Sequence, residues 1–383
     1  MQWSLVGSEM CIRDSPMTIR ALFSILITAS LWSGCLSQDT PSLPSESDHS
    51  ELMPEIISAV DISYYPLISS LNHTFYDQSG DEVDFIQSLK DAGINTVRLR
   101  IWHDPSHSGS SLQEVADFSE KIKSEGLKLW LCPHYSDTWA DPGAQDQPRA
   151  WDGLNYSELK DEFYRYTSDI VSDLNPDFVQ IGNEINNGFL HPHGEISQNR
   201  TQFLELLDAG SKAIRENSGH ARIIIHYAGL ESSVDFYGEL RSLDYDIVGI
   251  SYYPLWHGKS IERVGDTLRE LADQNNKDVM IAETAYPFTF EWNDWTNNII
   301  GSEDQIIASL YPASPQGQLD FMSALKDEIL SVERGVGFCY WGAEMISWDG
   351  PESNNGSVWE NQAIFDFDNR MLPVADVFDV ESP

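Results

Sequence analysis

Eight short apolar runs alternate with amphipathic segments between residues 56 and 341, and that alternation leaves few folds open. The runs cover residues 56–62, 96–102, 127–133, 178–182, 222–227, 247–253, 279–283 and 336–341. Each has the length of a buried strand and is too short for an ordinary helix. Between them, residues 82–92, 112–125, 157–173, 200–217, 260–274 and 315–331 place apolar side chains at helical spacing. Strand then helix, repeated, is the pattern of parallel βαβ units. Gly93 and Gly126 follow two of the helical segments where a left-handed cap is expected. Eight such repeats predict an α/β protein, a single (β/α)8 TIM barrel over residues 54–383. A doubly wound sheet is the alternative, but no glycine-rich phosphate turn follows the first run.

The chain before the barrel reads differently. Residues 1–16 show no pattern, whereas Met17 begins a better secretory signal, with Arg20 ahead of an apolar stretch at 21–32. Residues 1–35 are therefore read as a spurious extension plus a signal peptide, too short in its apolar part for a permanent membrane span. Cys35 follows Leu31-Trp32-Ser33-Gly34, which resembles the lipid-attachment site of prokaryotic lipoproteins, although Trp32 stands where a small aliphatic residue is usual. The two readings are an outward-facing lipoprotein anchored through Cys35 and plain cleavage with free secretion. Residues 36–53, rich in Ser, Pro, Asp and Glu, cannot bury enough apolar area to order themselves and read as a tether. Of the four cysteines, Cys11 and Cys35 fall in these segments; Cys132 and Cys339 lie in apolar runs and are expected to be buried as small apolar side chains.

Charge narrows the partners. Sixty-one acidic against 23 basic residues give a formal net charge of −38, which argues against nucleic acid, anionic membrane or a polyanionic substrate. A neutral polysaccharide feels no such repulsion, and the acid excess reads as a solvation device.

In a barrel the strand ends form the active face. Here they carry Asp61; Arg98, Arg100 and Trp102; His134; Asn183 with Glu184; His226; Tyr252 and Tyr253; Glu283; and Trp341. Strand ends need not be polar for stability, so this ring of polar groups with aromatic walls points to function. Glu184 and Glu283 each close an apolar run, and two carboxylates converging on one cleft are what a retaining sugar hydrolase needs.

The segments Asp61-Ile62-Ser63, Val97-Arg98-Leu99-Arg100-Ile101-Trp102, Gly182-Asn183-Glu184 and Ala282-Glu283-Thr284 resemble glycoside hydrolase family 53, the endo-β-1,4-galactanases. The string from His134 through Tyr135, Trp139 and Asp141 to Gly143 carries most of the likeness, which runs from about residue 60 to 378. The resemblance implies the barrel of clan A, with Glu184 as acid/base and Glu283 as nucleophile. It also implies internal cleavage, with retention, of the β-1,4-galactan of pectin side chains, including type I arabinogalactan.

For that chemistry Glu184 must hold a proton while Glu283 is ionised. Arg98 or Arg100 beside Glu283 would hold its pKa down, and Arg98 is preferred because related clan members place an arginine there; both share a strand face by alternation. Asn183 is expected to bond the sugar 2-hydroxyl, and His134 with Tyr252 or Tyr253 to orient the carboxylates or the ring. Trp102, Trp139, Trp341, Trp348 and Trp359 are candidate stacking platforms, with Trp341 first, and residues 288–295 look like the substrate loop of bacterial members of the family. One departure is plain: where the family commonly has Trp-Pro, this chain has His191-Pro192.

Two rivals remain. A metal-dependent hydrolase would draw on His103, Asp104 and His107, or on His191 and His193, but a divalent site in a barrel gathers its ligands from several strand ends, and here those ends carry Arg, Asn, Glu and Trp instead. No cofactor is required; a structural calcium in the long loops stays open, although the Asp/Asn spacing after Glu283 does not indicate one. The other rival is a tethered glycan-binding lipoprotein without turnover, against which both glutamates speak. A monomer is the expectation.

Overall fold

The computed structural model describes residues 56–106 and 109–380. The extension, signal, Cys35, the tether at 36–53 and His107 lie outside the described residues.

All eight expected strands form, and they close into one barrel. They are β1 (Ile57–Asp61), β2 (Thr96–Ile101), β3 (Lys128–Pro133), β4 (Phe178–Gln180), β5 (Arg222–Ala228), β6 (Ile247–Ser251), β7 (Asp278–Thr284) and β8 (Gly335–Trp341). Each pairs in parallel with its sequence neighbours, and β8 returns to β1, with Asp61 opposite Trp341. Among the described residues the helices of seven residues or more are α1 (Phe85–Asp91), α2 (Leu112–Ser124), α3 (Tyr156–Leu174), α4 (Ile196–Asn217), α5 (Ser233–Glu239), α6 (Ile261–Asn275) and α7 (Pro315–Leu330), beside two short turns of helix at Tyr65–Ser69 and Pro254–His257. After β8 the chain closes with a 3-10 turn at Pro373–Phe378.

Local chemistry sets these boundaries. Ser111 with Glu114 and Asn155 with Glu158 build capping boxes that start α2 and α3. The segment expected as a helix from residue 82 starts instead at Phe85, because Glu82–Val83 pairs with Phe75–Tyr76 in a hairpin and Asp84 caps the helix. Helix α5 was not among the amphipathic segments; at seven residues it is too short to display a helical period. Strand β4 stops at Gln180 rather than Gly182 because Gly182 (φ 74°) and Glu184 (φ 47°) leave the extended region.

The core has two parts. A large cluster fills the space between sheet and helices, and a smaller one, built from Ile57, Ala59, Trp130, Phe178, Ile224, Ile247, Met280, Ala282, Val336 and Cys339, fills the barrel interior. Strand β2 gives nothing apolar to the inner cluster. Its inward positions are Thr96, Arg98 and Arg100, all buried. Cys132 and Cys339 are free thiols, as expected, but Cys132 does more than fill space: its sulfur lies 3.3 Å from Arg98 Nη2 and 3.1 Å from Gln180 Nε2.

Gly93 and Gly126 both take positive φ, at 96° and 79°, yet their surroundings differ. A Cβ on Gly126 meets open space apart from Lys90 Nζ, whereas one on Gly93 would sit 2.7 Å from the Phe378 carbonyl oxygen. Gly126→Ala should therefore lose about 1–2 kcal/mol from backbone strain alone. Gly93→Ala should lose more than about 2 kcal/mol, because backbone must also move. Urea unfolding of the two variants checks this, and equal losses would rule out the close packing at Gly93.

Candidate active site

Arg98 sits at the bottom of the cleft and is 2% exposed. Its Nη1 donates to Asp61 Oδ2 at 2.9 Å and to Glu283 Oε2 at 3.0 Å; its Nη2 donates to Asn183 Oδ1 at 2.7 Å; its Nε donates to Gln180 Oε1 at 3.3 Å. One side chain on β2 thus ties together β1, β4 and β7. Asp61 is locked in turn by the backbone N–H and hydroxyl of Ser63.

Glu283 reaches the cleft through an irregularity. Ile250 pairs with Ile281 but Ser251 pairs with Glu283, so β7 carries one extra residue there. Ala282 points into the barrel, and the bulge lets the next residue point inward as well. Glu283 Oε1 accepts from the Tyr253 hydroxyl at 2.9 Å, so both its oxygens are held. Glu184 is held at one oxygen: Ser251 Oγ lies 2.5 Å from its Oε1. Gln145 donates to the carbonyls of Asn183 and Glu184 and braces the left-handed turn from behind.

Glu184, His226 and Glu283 each bring one potential ligand atom within 4.8 Å of the others. The two carboxylates therefore face each other across a single gap. Burial, with the charge of Glu283 opposite, pushes the Glu184 carboxyl up to about 8, against weaker pulls from the Ser251 hydroxyl and Arg98. Burial raises Glu283 too; Arg98 and Tyr253 restrain that rise rather than reverse it, which corrects the expectation of a depressed value. Of the pair, Glu283 alone bonds a cation directly, so Glu184 is where the shared proton resides.

Several expected residues take other places. Arg100 does not approach Glu283. Its guanidinium lies 4.2 Å from the ring centres of Trp102 and Trp139 and 4.8 Å from Tyr64, and it donates to Ser110 Oγ. It stiffens an aromatic wall. Tyr252 points away from the cleft, with its ring stacked on Phe321 and its hydroxyl on the Gly258 carbonyl, because alternation turns Tyr253 inward. His134 bonds neither carboxylate; its Nδ1 accepts from the Ala140 N–H and from Trp102 Nε1, and burial keeps the ring neutral. Asn183 donates from Nδ2 to the Ala140 carbonyl and keeps a second amide hydrogen.

Among the aromatic candidates, Trp341 is half-buried at the end of β8, its ring centre 4.8 Å from that of Trp359 and the two rings nearly perpendicular. Trp359 is buried and serves as backing for Trp341 and Tyr253. Trp348 stacks on Tyr64 at 5.5 Å. In the loop at 288–295, Asp294 is buried while Trp292 and Trp295 are 52% and 60% exposed.

Among the described histidines of the metal reading, none is drawn into a shared ligand cluster. His103 packs on Trp151 and Tyr166; His191 faces the Asn187 carbonyl and His193 the Leu154 carbonyl. Three site residues escaped the sequence reading: Ser251, Gln180 and Gln145. Gln180 left a trace, as the one amide inside an apolar run, and Ser251 lies two residues before the inward Tyr253.

Replacing Arg98 by Met would leave Asp61 and Glu283 buried without their cation. Arg98→Met should cost about 3–5 kcal/mol at neutral pH, measured by denaturant unfolding. A loss below about 1 kcal/mol would mean that water, not the guanidinium, holds the cluster.

Known proteins resemble this chain over the whole barrel. The sequence model described as glycosyl hydrolase family 53 matches residues 57–378. A Cellvibrio japonicus protein named arabinogalactan endo-beta-1,4-galactanase is 33% identical over 338 residues, 82% of this chain and 88% of that one. A Bacillus subtilis endo-beta-1,4-galactanase is 29% identical over 414 residues, 91% of this chain and 95% of its own. Among solved structures, the Ignisphaera aggregans GH53 catalytic domain superposes with a TM-score of 0.80 at 37% identity, covering 85% of this chain and 96% of that chain.

Proposed function

The chain belongs to glycosyl hydrolase family 53, and on that premise we propose that it is an endo-acting, retaining hydrolase of β-1,4-galactan, including type I arabinogalactan of pectin side chains. The observation that carries the reading is the facing pair, Glu184 and Glu283, with carboxylate oxygens within 4.8 Å. Retaining enzymes hold their carboxyls about 5–5.5 Å apart, whereas inverting ones need about 6.5–9.5 Å for a water. The relatives named as galactanases support the substrate class.

In the first step Glu283, steered by Arg98 and Tyr253, attacks the anomeric carbon while Glu184 protonates the leaving oxygen. In the second, Glu184 takes a proton from water, which releases the sugar from Glu283. The second amide hydrogen of Asn183 serves the sugar 2-hydroxyl, and Trp341 offers its face to the ring. No cofactor enters. Both ring nitrogens of His226 and both oxygens of Glu283 already have protein partners, so we assign no metal to the cluster. The apolar stretch at 21–32 and Cys35 support an outward-facing location, secreted or lipid-anchored, and the enzyme is taken to act as a monomer. Among the described residues no helix is long and apolar enough to cross a membrane.

Galactan hydrolysis by Glu184→Gln should fall by about 10²–10⁴-fold, and by Glu283→Gln at least as far, with binding kept. Survival of activity in either variant would remove the assignment; binding by wild type without any hydrolysis would favour the tethered glycan-binding protein. Tyr253→Phe, which takes a bond from an ionised carboxylate, should lower kcat about 10–100-fold, while Tyr252→Phe should leave it within a few-fold. Equal effects would contradict the opposed faces of the two rings.

The pH profile follows from the same pair. Glu184 must be protonated, so kcat/KM should fall as pH rises through about 8. Glu283 must be ionised, and since burial raises it, the acid limb should lie above that of an ordinary glutamate. Initial rates on soluble galactan across pH measure both limbs, and a basic limb in the ordinary carboxylate range would place the proton elsewhere.

A further inference from the structure

Behind Glu184 runs a chain of hydrogen bonds that the two-carboxylate mechanism does not use. Ser251 Oγ lies 2.5 Å from Glu184 Oε1 and 2.8 Å from His226 Nε2. His226 Nδ1 lies 3.1 Å from Gln180 Nε2 and 3.1 Å from Asn183 Oδ1. His226 and Ser251 are fully buried on the inward faces of β5 and β6.

The direction of the chain is set by Arg98. Its Nε donates to Gln180 Oε1, which turns Gln180 Nε2 toward His226 Nδ1, the Gly182 carbonyl at 2.8 Å and Asn183 Oδ1 at 3.0 Å; with Arg98 Nη2 at 2.7 Å, Asn183 Oδ1 has a donor for each of its two lone pairs and none left for a ring hydrogen. An amide nitrogen can only donate, so His226 Nδ1 accepts and the single hydrogen of the neutral ring lies on Nε2. That hydrogen goes to Ser251 Oγ. The hydroxyl then has its own hydrogen left for one acceptor, Glu184 Oε1.

Resting on the hydrolase reading, we infer that Ser251 and His226 are positioning residues for the acid/base: the pair fixes Glu184 Oε1 as a permanent acceptor and leaves Oε2, toward the cleft, as the oxygen that gives and takes the catalytic proton. The arrangement favours the ionised form of Glu184, the form needed to activate water in the second step. The other groups acting on Glu184 are Glu283 on β7, Asp141 in the loop after β3, Arg98 on β2 and, bonded to Glu283, Tyr253. Ser251 alone among them donates directly to its carboxylate.

The test is Ser251→Ala, with unfolding measured alongside activity. Loss of the hydroxyl removes a bond that lowers Glu184, so the basic limb of kcat/KM on galactan should move to higher pH, and kcat at neutral pH should fall about tenfold. A purely structural role would lower activity without moving that limb, and an unmoved limb overturns the inference. Histidine-labelled wild-type protein offers a second reading that needs no substrate: nitrogen NMR of His226 should show the Nε2–H tautomer, and an Nδ1–H ring would reverse the chain and sink the assignment. Failure of wild type to cut galactan would instead strike at the proposed substrate and leave the tautomer result standing.

Discussion

The site depends on one buried guanidinium. Arg98 is assigned no bond making, yet its hydrogen bonds reach Asp61, Gln180 and Glu283 on three other strands and Asn183 in the turn after β4. Two of those partners are carboxylates, and the cation bonded to both is what makes their burial tolerable. A planar, forked donor suits this task because several acceptors at fixed angles can be served at once. The barrel interior accommodates it because β2 supplies no apolar layer, and the place of inner hydrophobic packing is taken by this polar plug above Trp130, whose ring centre lies 5.6 Å from the guanidinium.

From that plug follows the division of labour between two chemically identical acids. Glu283 touches the cation and the Tyr253 hydroxyl; Glu184 touches only the Ser251 hydroxyl and faces its partner's charge. Burial alone would raise both, and it does. The asymmetry comes from the neighbours, not from depth. Proton placement is therefore a property of the pair: the charge on Glu283 favours the protonated form of Glu184, and in the proposed double displacement esterification of Glu283 by sugar would remove that repulsion and free Glu184 to act as a base.

Much of this was legible in the sequence because barrel strands obey a simple period. Asp61 and Tyr253 fall on inward positions by alternation from apolar residues deeper in the same strands, Ile57 and Ala59 in β1 and Ile247 in β6, and Arg98 does so from the buried Thr96. The eight runs themselves were found to within a residue or two. What stayed hidden required contacts between distant segments. Nothing local told Arg100 from Arg98; the difference is that Trp139, from the loop after β3, folds over one and not the other. Nothing local marked Ser251, a small hydroxyl whose partners lie in the turn after β4 and on β5. The Tyr252–Tyr253 ambiguity, by contrast, was one of phase, and a single inward neighbour resolves it.

The two glutamates also share a backbone signature that strand period cannot express. Alternation forbids adjacent residues from facing the same side of a sheet. Yet Asn183 and Glu184 both face the cleft, and Ala282 and Glu283 both face the barrel interior. Each pair needs a break in regular geometry, and each has one: positive φ at Gly182 and Glu184 in the first case, an extra residue in the ladder in the second. Left-handed backbone at a glutamate is unfavourable by about 1–2 kcal/mol, and it persists because Gln145 holds the adjoining carbonyls and Ser251 the carboxylate. A chain with perfectly regular strands would have turned one member of each pair into the helix layer. The irregularities at the ends of β4 and β7 are thus what bring two acids within reach of one bond, and their coincidence with Glu184 and Glu283, found on separate strands, ties the fold to the chemistry more closely than either residue's identity does.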